Sequence, residues 1–223
     1  MRFTMMKFLI FGPPGAGKGT YTTRLKEKLG IATISTGDFF RDNVKQGTSL
    51  GVLAKQYMDK GQYVPDQIVT GVLREWLAKP ETQKGFILDG YPRTLKQAED
   101  LKSLTSMDAV INLVVPEWVI IERLSSRRVC PKDGTIYNVR FLKPKVEGMC
   151  DKCGTPLIQR PDDMPDVIRE RLKVYEDMTK PLLEFFQKTE MPIVSVECTE
   201  VDIPPEIMVD KILAALRGRK LIE

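Results

Sequence analysis

Residues 12–20 read Gly12-Pro13-Pro14-Gly15-Ala16-Gly17-Lys18-Gly19-Thr20 and follow the apolar run Phe8-Leu9-Ile10-Phe11. A short buried-type strand, a glycine-rich turn and a helix-forming stretch from Tyr21 to Leu29 together make a phosphate-binding loop. Without a Cβ at 12, 15, 17 and 19, backbone N–H groups can wrap a polyphosphate free of clashes. The positive end of the following helix favours that negative charge, and the Lys18 ammonium reaches the outer phosphates. The general pattern puts Ser or Thr directly after the lysine as a magnesium ligand. Here Gly19 holds that position and Thr20 follows, so protein contacts to Mg²⁺ are expected elsewhere or through water.

Outward from the loop, apolar strand-like runs recur at Lys7–Phe11, Phe86–Asp89, Ala109–Val115 and Ile193–Val196, with a weaker one at Ala32–Ser35. Helix-periodic stretches lie between them: Tyr21–Leu29, Gln67–Ala78, Leu95–Leu104, Glu117–Arg128, Asp166–Lys188 and Pro205–Leu216. This alternation predicts an α/β fold, a parallel sheet of about five strands covered by helices on both faces. Ligands of such sheets sit beyond the carboxyl ends of the strands, where the phosphate loop lies. Residues 36–64 and 129–163 break the alternation and read as excursions from the core. Long inserts of this kind are more often functional than idle.

The 223 residues suit one domain with insertions, or one and a half; a hydrophobic share of 42% is ample for a core. A net charge of +4 suits a small anionic substrate. No block of basic residues suggests a nucleic-acid partner, and no apolar stretch approaches the ~18 residues of a membrane span. The start, Met1 to Met6, runs straight into the first strand and does not read as a signal peptide; Met5 or Met6 is an alternative first residue. The chain has no histidine, which removes the commonest general base and every Ser-His or Cys-His nucleophile. Three of the four cysteines are clustered, pointing to a metal site in a reducing, cytoplasmic setting rather than to disulfides.

A second phosphate-handling set follows. Ser35-Thr36-Gly37-Asp38 fits a capping box and brings Thr36 and Arg41 to a helix start, where anions bind. Met58 to Asp66 forms a turn whose backbone at Gln62, Tyr63 and Val64 can read a base edge. The strand ending at Asp89 runs into Gly90-Tyr91-Pro92-Arg93-Thr94, and Asp89 at its mouth is placed to orient a hydrated Mg²⁺. Arg123 and Arg127, four apart, share a helix face on this pattern. Arg169 and Arg171 open a long helix, and Arg160 precedes Asp162-Asp163. Together these cations meet the need of phosphoryl transfer, neutralising oxygens on both reactants.

The motifs GPPGAGKGT at 12–20, STGDFFR at 35–41, MDKGQYVPD at 58–66 and GFILDGYPRT at 85–94 with Gln97 resemble the adenylate kinase family. So do RRVC…CDKCG at 127–154 and QRPDD…IRERL at 159–172, and the resemblance covers nearly the whole chain. It implies reversible transfer from Mg·ATP to AMP, giving two ADP. It also implies that Gly15, Ala16, Gly17, Lys18, Gly19 and Thr20 hold the ATP phosphates, with Arg123, Arg127, Ile136 and Tyr137 around the rest of that nucleotide. Thr36, Arg41, Gln62, Tyr63, Val64, Gly90, Tyr91, Pro92, Arg93 and Gln97 would form the AMP site. Lys18, Asp89, Arg93, Arg127, Arg160 and Arg171 would carry catalysis, the last two also gripping AMP. Residues 35–64 would be an AMP-binding insert and 126–163 a lid, on a core of 1–34, 65–125 and 164–223. The chain departs from the family at Glu197-Cys198-Thr199, where Asp-Gly-Thr commonly precedes a backbone contact to adenine.

Cys130-Pro-Lys-Asp133 and Cys150-Asp-Lys-Cys153 are paired two-residue gaps, sixteen residues apart. That is the spacing of a structural zinc knuckle, here Cys₃Asp; the alternative is a loop tied by hydrogen bonds alone. Cys198 reads as a buried core thiol. Besides an adenylate kinase acting on AMP, two other readings stay open: a kinase for UMP, CMP or GMP, and a nucleotide-dependent module whose ribbon contacts RNA or protein. With no amphipathic seam left over, the chain is expected to be a monomer.

Overall fold

The computed structural model describes residues 5–223, so the choice of first residue falls partly outside the described residues. The chain opens with β1 (Met6–Phe11), and the glycine-rich turn hands it to α1 (Lys18–Leu29). β2 (Ala32–Ser35) leads to α2 (Thr36–Gln46), α3 (Ser49–Met58) and α4 (Asp66–Leu77). Next come β3 (Gly85–Asp89), α5 (Leu95–Leu104), β4 (Ala109–Val114) and α6 (Glu117–Ser125). Two antiparallel strands, β5 (Arg127–Val129) and β6 (Ile136–Asn138), belong to the second excursion. The chain then runs through α7 (Pro165–Val174), a π turn (Tyr175–Thr179), α8 (Leu182–Lys188), β7 (Ile193–Glu197) and α9 (Pro205–Gly218).

The five core strands are parallel, in the order β2-β3-β1-β4-β7. β1 is central, and Asp89 pairs in register with both Ile10 and Ser35. The phosphate loop, the start of α2 and the turn after β3 therefore leave the sheet along one line. Strand alternation divides the core. Phe8 and Ile10 pack with Met208, Ile212 and Leu216 on one face, while Leu9 and Phe11 pack with Leu73, Leu101 and Phe186 on the other. Each such fully buried side chain stabilises the fold by about 1.5–3 kcal/mol, so the floor of the site is rigid.

Two helix expectations are corrected. The stretch 117–128 is not one helix: α6 stops at Ser125, because the next residues are captured by β pairing. Val129 exchanges backbone bonds with Ile158, and Ser126 accepts from Val139 N–H at 3.0 Å. Arg127 thus lies in β5 and shares no helix face with Arg123. The stretch 166–188 breaks into α7, the π turn and α8, with Lys180 N–H bonding Tyr175 C=O at 2.9 Å just before Pro181, which has no N–H to give. The capping box is half formed. Ser35 Oγ accepts from Asp38 N–H at 3.3 Å, while the Asp38 carboxylate turns to Arg41.

Candidate active site

The phosphate loop leaves β1 between the two core faces and is pressed against α6. Gly15 has φ +83°, and a methyl group there would lie 2.8 Å from Leu124 Cγ, so only glycine fits. Lys18 folds back over the loop, its Nζ donating to Gly12 C=O at 2.6 Å and Pro13 C=O at 2.8 Å. Burial lowers its pKa to about 8, against the opposing pull of Asp89. Burial likewise raises the Asp89 pKa, with Lys18 and then Arg93 opposing. A Cβ on Gly19 would sit 3.9 Å from Asp89 Oδ2, so the glycine leaves that carboxylate open to the loop. Ala16 is buried, while Gly17, Gly19 and Thr20 border the cleft.

Across the cleft, Thr36 Oγ1 and Arg93 Nε both donate to Gly90 C=O, at 2.9 and 2.8 Å. The Arg93 guanidinium lies 5.0 Å from the Tyr63 ring centre. The Tyr63 hydroxyl meets Thr179 Oγ1 at 2.8 Å, and Thr179 Oγ1 donates to Arg93 C=O at 2.9 Å. Gln97 is buried and already engaged: its Oε1 accepts from Arg93 N–H at 2.8 Å, and its Nε2 donates to Asp66 at 2.7 Å. Tyr91 points into the core, its hydroxyl 2.9 Å from Thr70 Oγ1, so only its backbone end borders the cleft. Gln62, Val64, Gly90 and Pro92 line the same wall.

The remaining cations come from the second excursion, residues 126–163, and from α7. Arg127 makes a two-point contact with Asp163, Nε to Oδ2 at 2.8 Å. Arg171 Nη1 reaches Asp162 C=O at 2.7 Å and the carboxylates of Asp162 and Asp163 at 3.0 and 3.1 Å. Arg160 has no ion-pair partner among the described residues; burial and then the nearby Arg41 and Arg127 charges press its pKa down. A cluster of cations held at one place by burial is a site built for anionic oxygens. Arg169, by contrast, pairs with Asp166 in solvent. Arg123 borders the cleft but its guanidinium binds the backbone after β7. The whole cleft measures about 1080 Å³ and runs from the phosphate loop to Tyr63 and Tyr175. A single small-ligand pocket is about 300–1,000 Å³, so this cleft lies at the top of that range.

Above the cleft, Cys130, Asp133, Cys150 and Cys153 bring their ligand atoms within 4.8 Å of one another. Cys130 Sγ lies 3.4 Å from Cys153 Sγ, and Cys150 Sγ 3.3 Å from Asp133 Oδ2. Atoms bonded at about 2.3 Å to one tetrahedral ion lie about 3.8 Å apart, so the set fits a zinc-sized ion with little adjustment. The two turns repeat each other. Gly134 and Gly154 N–H bond the Cys130 and Cys150 carbonyls at 3.0 and 2.8 Å, and each cysteine N–H bonds a threonine carbonyl at 2.9 Å. Ile136 and Tyr137 both border the cleft, the Tyr137 hydroxyl accepting from Asp151 N–H at 2.7 Å.

The adenylate kinase family model matches residues 10–191. The chain belongs to the adenylate kinase family. It is 52% identical over 189 residues to an adenylate kinase of Carboxydothermus hydrogenoformans, covering 82% of this chain and 88% of that protein. It is 49% identical over 188 residues to one of Archaeoglobus fulgidus (82% and 87%). Against an adenylate kinase of Methanocella arvoryzae it is 44% identical over 223 residues, covering 97% of this chain and all of that protein. The reaction of an adenylate kinase is phosphoryl transfer from ATP to AMP, giving two ADP. No helix among the described residues is long and apolar enough to cross a membrane.

Three residues of this adenylate kinase site escaped sequence reasoning. Asp163 is fully buried between Arg127 and Arg171; the pair Asp162-Asp163 beside Arg160 was its only signal. Asp66 holds Gln97 and Thr94 at 2.7 and 2.9 Å, and could have been suspected as a carboxylate opening α4. Thr179 joins Tyr63 to Arg93, and nothing in its surroundings in the sequence marks it.

Proposed function

We propose that the chain performs this transfer by holding ATP at the phosphate loop and AMP against α2, the 61–64 turn and Gly90–Arg93. The observation that supports this division is the convergence of Lys18, Arg41, Arg93, Arg127, Arg160 and Arg171 on one cleft that runs from the phosphate loop to Tyr63. A phosphate oxygen of AMP is already a nucleophile, so no strong base is required. Catalysis is alignment, charge neutralisation and exclusion of water. Lys18 and Arg127 take the donor phosphates, Arg41 and Arg93 the acceptor phosphate, and Arg160 and Arg171 the group in flight. Gly15 to Thr20, Arg123, Ile136 and Tyr137 complete the donor side, and Thr36, Gln62 to Val64 and Gln97 the acceptor side. Residues 35–64 act as the AMP-binding insert and 126–163 as the lid on the remaining core.

Asp89 suits a hydrated Mg²⁺: it is a hard oxygen donor beside a glycine, and Mg²⁺ keeps several waters with one or two carboxylates and substrate phosphates. Bound there with ATP, Mg²⁺ would offset phosphate charge. Cys130, Asp133, Cys150 and Cys153 would hold a structural zinc. Three reduced thiols in the lid agree with a cytoplasmic setting. Both nucleotide sites come from one chain, so a monomer suffices.

The test is ADP formation from ATP plus AMP, with ATP alone as control and UMP, CMP and GMP as competing acceptors. Strong preference for AMP and little ATP hydrolysis are expected. Lys18→Met, losing one charge at the outer phosphates, should lower kcat by about 10²–10³-fold or more. Near-normal turnover in a folded Lys18→Met protein would sink the assignment.

A further inference from the structure

The segment after β7 is tied to α6, against which the phosphate loop packs at Gly15, through Arg123 and through a thiol that takes no part in the reaction, Cys198. Arg123, on α6, donates from Nε to Val201 C=O at 3.1 Å and from Nη2 to Glu200 C=O at 2.8 Å. The same Nη2 lies 3.1 Å from Cys198 Sγ, which also reaches Glu200 C=O at 3.7 Å. The buried thiol thus accepts from the guanidinium and donates to the loop. Its backbone is fixed to β4 by Cys198 N–H to Val114 C=O at 2.9 Å.

Tyr21 joins this knot from the other side. Its ring covers the loop glycine so closely that a methyl on Gly17 would lie 2.7 Å from Cζ and 2.9 Å from the hydroxyl oxygen. Burial pushes the phenol up to about 12, with Arg123 and Cys198 as its polar neighbours. The far end of the segment is held to α1 as well, by Arg24 Nε to Glu206 Oε1 at 2.8 Å. Between these two ties, Val201, Asp202, Ile203 and Pro204 line the cleft.

We propose that Cys198 is a positioning residue for the donor nucleotide, acting through Arg123 to hold the 199–204 segment at a fixed height above the phosphate loop. The proposal rests on the donor-site assignment above. A nucleotide whose phosphates are gripped by the loop must place its base against this segment, so the spacing between the two sets donor affinity. Removing the sulfur leaves the phosphate grip intact and loosens only the far wall. The acceptor site, on the opposite side of β1, is untouched.

The experiment compares Cys198→Ala and Cys198→Ser with the parent, varying ATP at saturating AMP and AMP at saturating ATP. Loss of the sulfur contacts in Cys198→Ala should raise KM for ATP about two- to tenfold, with KM for AMP and kcat within about twofold. Cys198→Ser, which can still accept and donate, should restore the parent KM. Calorimetric titration with ATP alone gives the same ranking without turnover. Equal shifts in both KM values, a fall in melting temperature with unchanged KM, or a Ser variant as weak as Ala would overturn the proposal. Should Cys198→Ala not fold, Cys198→Val, which fills the buried site without donating or accepting a hydrogen bond, carries the comparison with Cys198→Ser. Absence of ADP formation in the parent would instead overturn the donor-site assignment itself.

Discussion

Asp163→Asn isolates the charge that holds two cleft arginines in place. Asp163 has no solvent exposure and bridges Arg127 and Arg171, whose side chains are 14% and 18% exposed. Asparagine fills the same volume, so no cavity forms. It removes the negative charge and turns one acceptor into an N–H₂ group facing a guanidinium donor. Breaking a buried pair in this way costs about 3–5 kcal/mol. The low end applies, because Arg171 keeps Asp162 at 3.0 Å and both guanidinium groups can regain some water. At about 2–4 °C per kcal/mol for a chain of this size, a loss of about 3 kcal/mol lowers the melting temperature by about 6–12 °C. Circular dichroism melts of the nucleotide-free protein read this directly. Asp166→Asn, which breaks the exposed pair with Arg169 on the same helix, is the matched control and should shift it by roughly 1–2 °C at most. Equal shifts in the two variants would refute the bridging role.

Lys18 gives a pH signature. Its folded pKa of about 8 lies below the ordinary 10.5, so between those values the unfolded chain binds more protons and this group's contribution to stability rises with pH. Melting temperatures of the parent should climb relative to Lys18→Met from about pH 8 to pH 10, and parallel curves would count against the burial of this charge. Chelating zinc from protein loaded with it at the Cys130, Asp133, Cys150 and Cys153 cluster should lower the melting temperature and expose amides of residues 126–163 to exchange before those of the sheet. Refolded metal-free protein should keep part of its activity well below its melting point; complete loss with an unchanged melt would point to a catalytic ion. Gly15→Ala combines a positive φ with a 2.8 Å contact to Leu124 and should cost about 1–3 kcal/mol and most of the turnover. Gly30→Ala, at φ +66° with nothing within 4 Å, should cost only the backbone strain, about 1 kcal/mol, with kcat unchanged.

What was legible in the sequence was what local pattern controls. β1, β3 and β4 are mostly apolar runs between turn residues, and both ends of each fall within one residue of the expectation. The cleft's cations were legible because guanidinium and ammonium groups beside a phosphate loop have few other uses. Partners fixed by tertiary contact were not. Nothing local says that Arg127 leaves α6 to enter β5, that the Tyr91 ring turns to Thr70, or that Asp163 rather than Asp162 sits at the centre of the charge network. In each case a distant segment decides: Ile158 and Val139 for the first, α4 for the second, β5 for the third.

The π turn at Tyr175–Thr179 acts as a phase shifter in the chain. An α-helix advances about 100° per residue, so the extra residue that an i to i+5 bond admits rotates everything after it by about that angle. Before the turn, α7 aims Arg171 at the carboxylates beside the lid; after it, α8 aims Leu182 and Phe186 into the core against Phe11. Thr179 stands at the change of phase, facing Tyr63 and Arg93. Insertion or deletion of one residue here would leave each helix intact and disengage one from the other, so that either the core or the cationic cleft would keep its alignment, but not both.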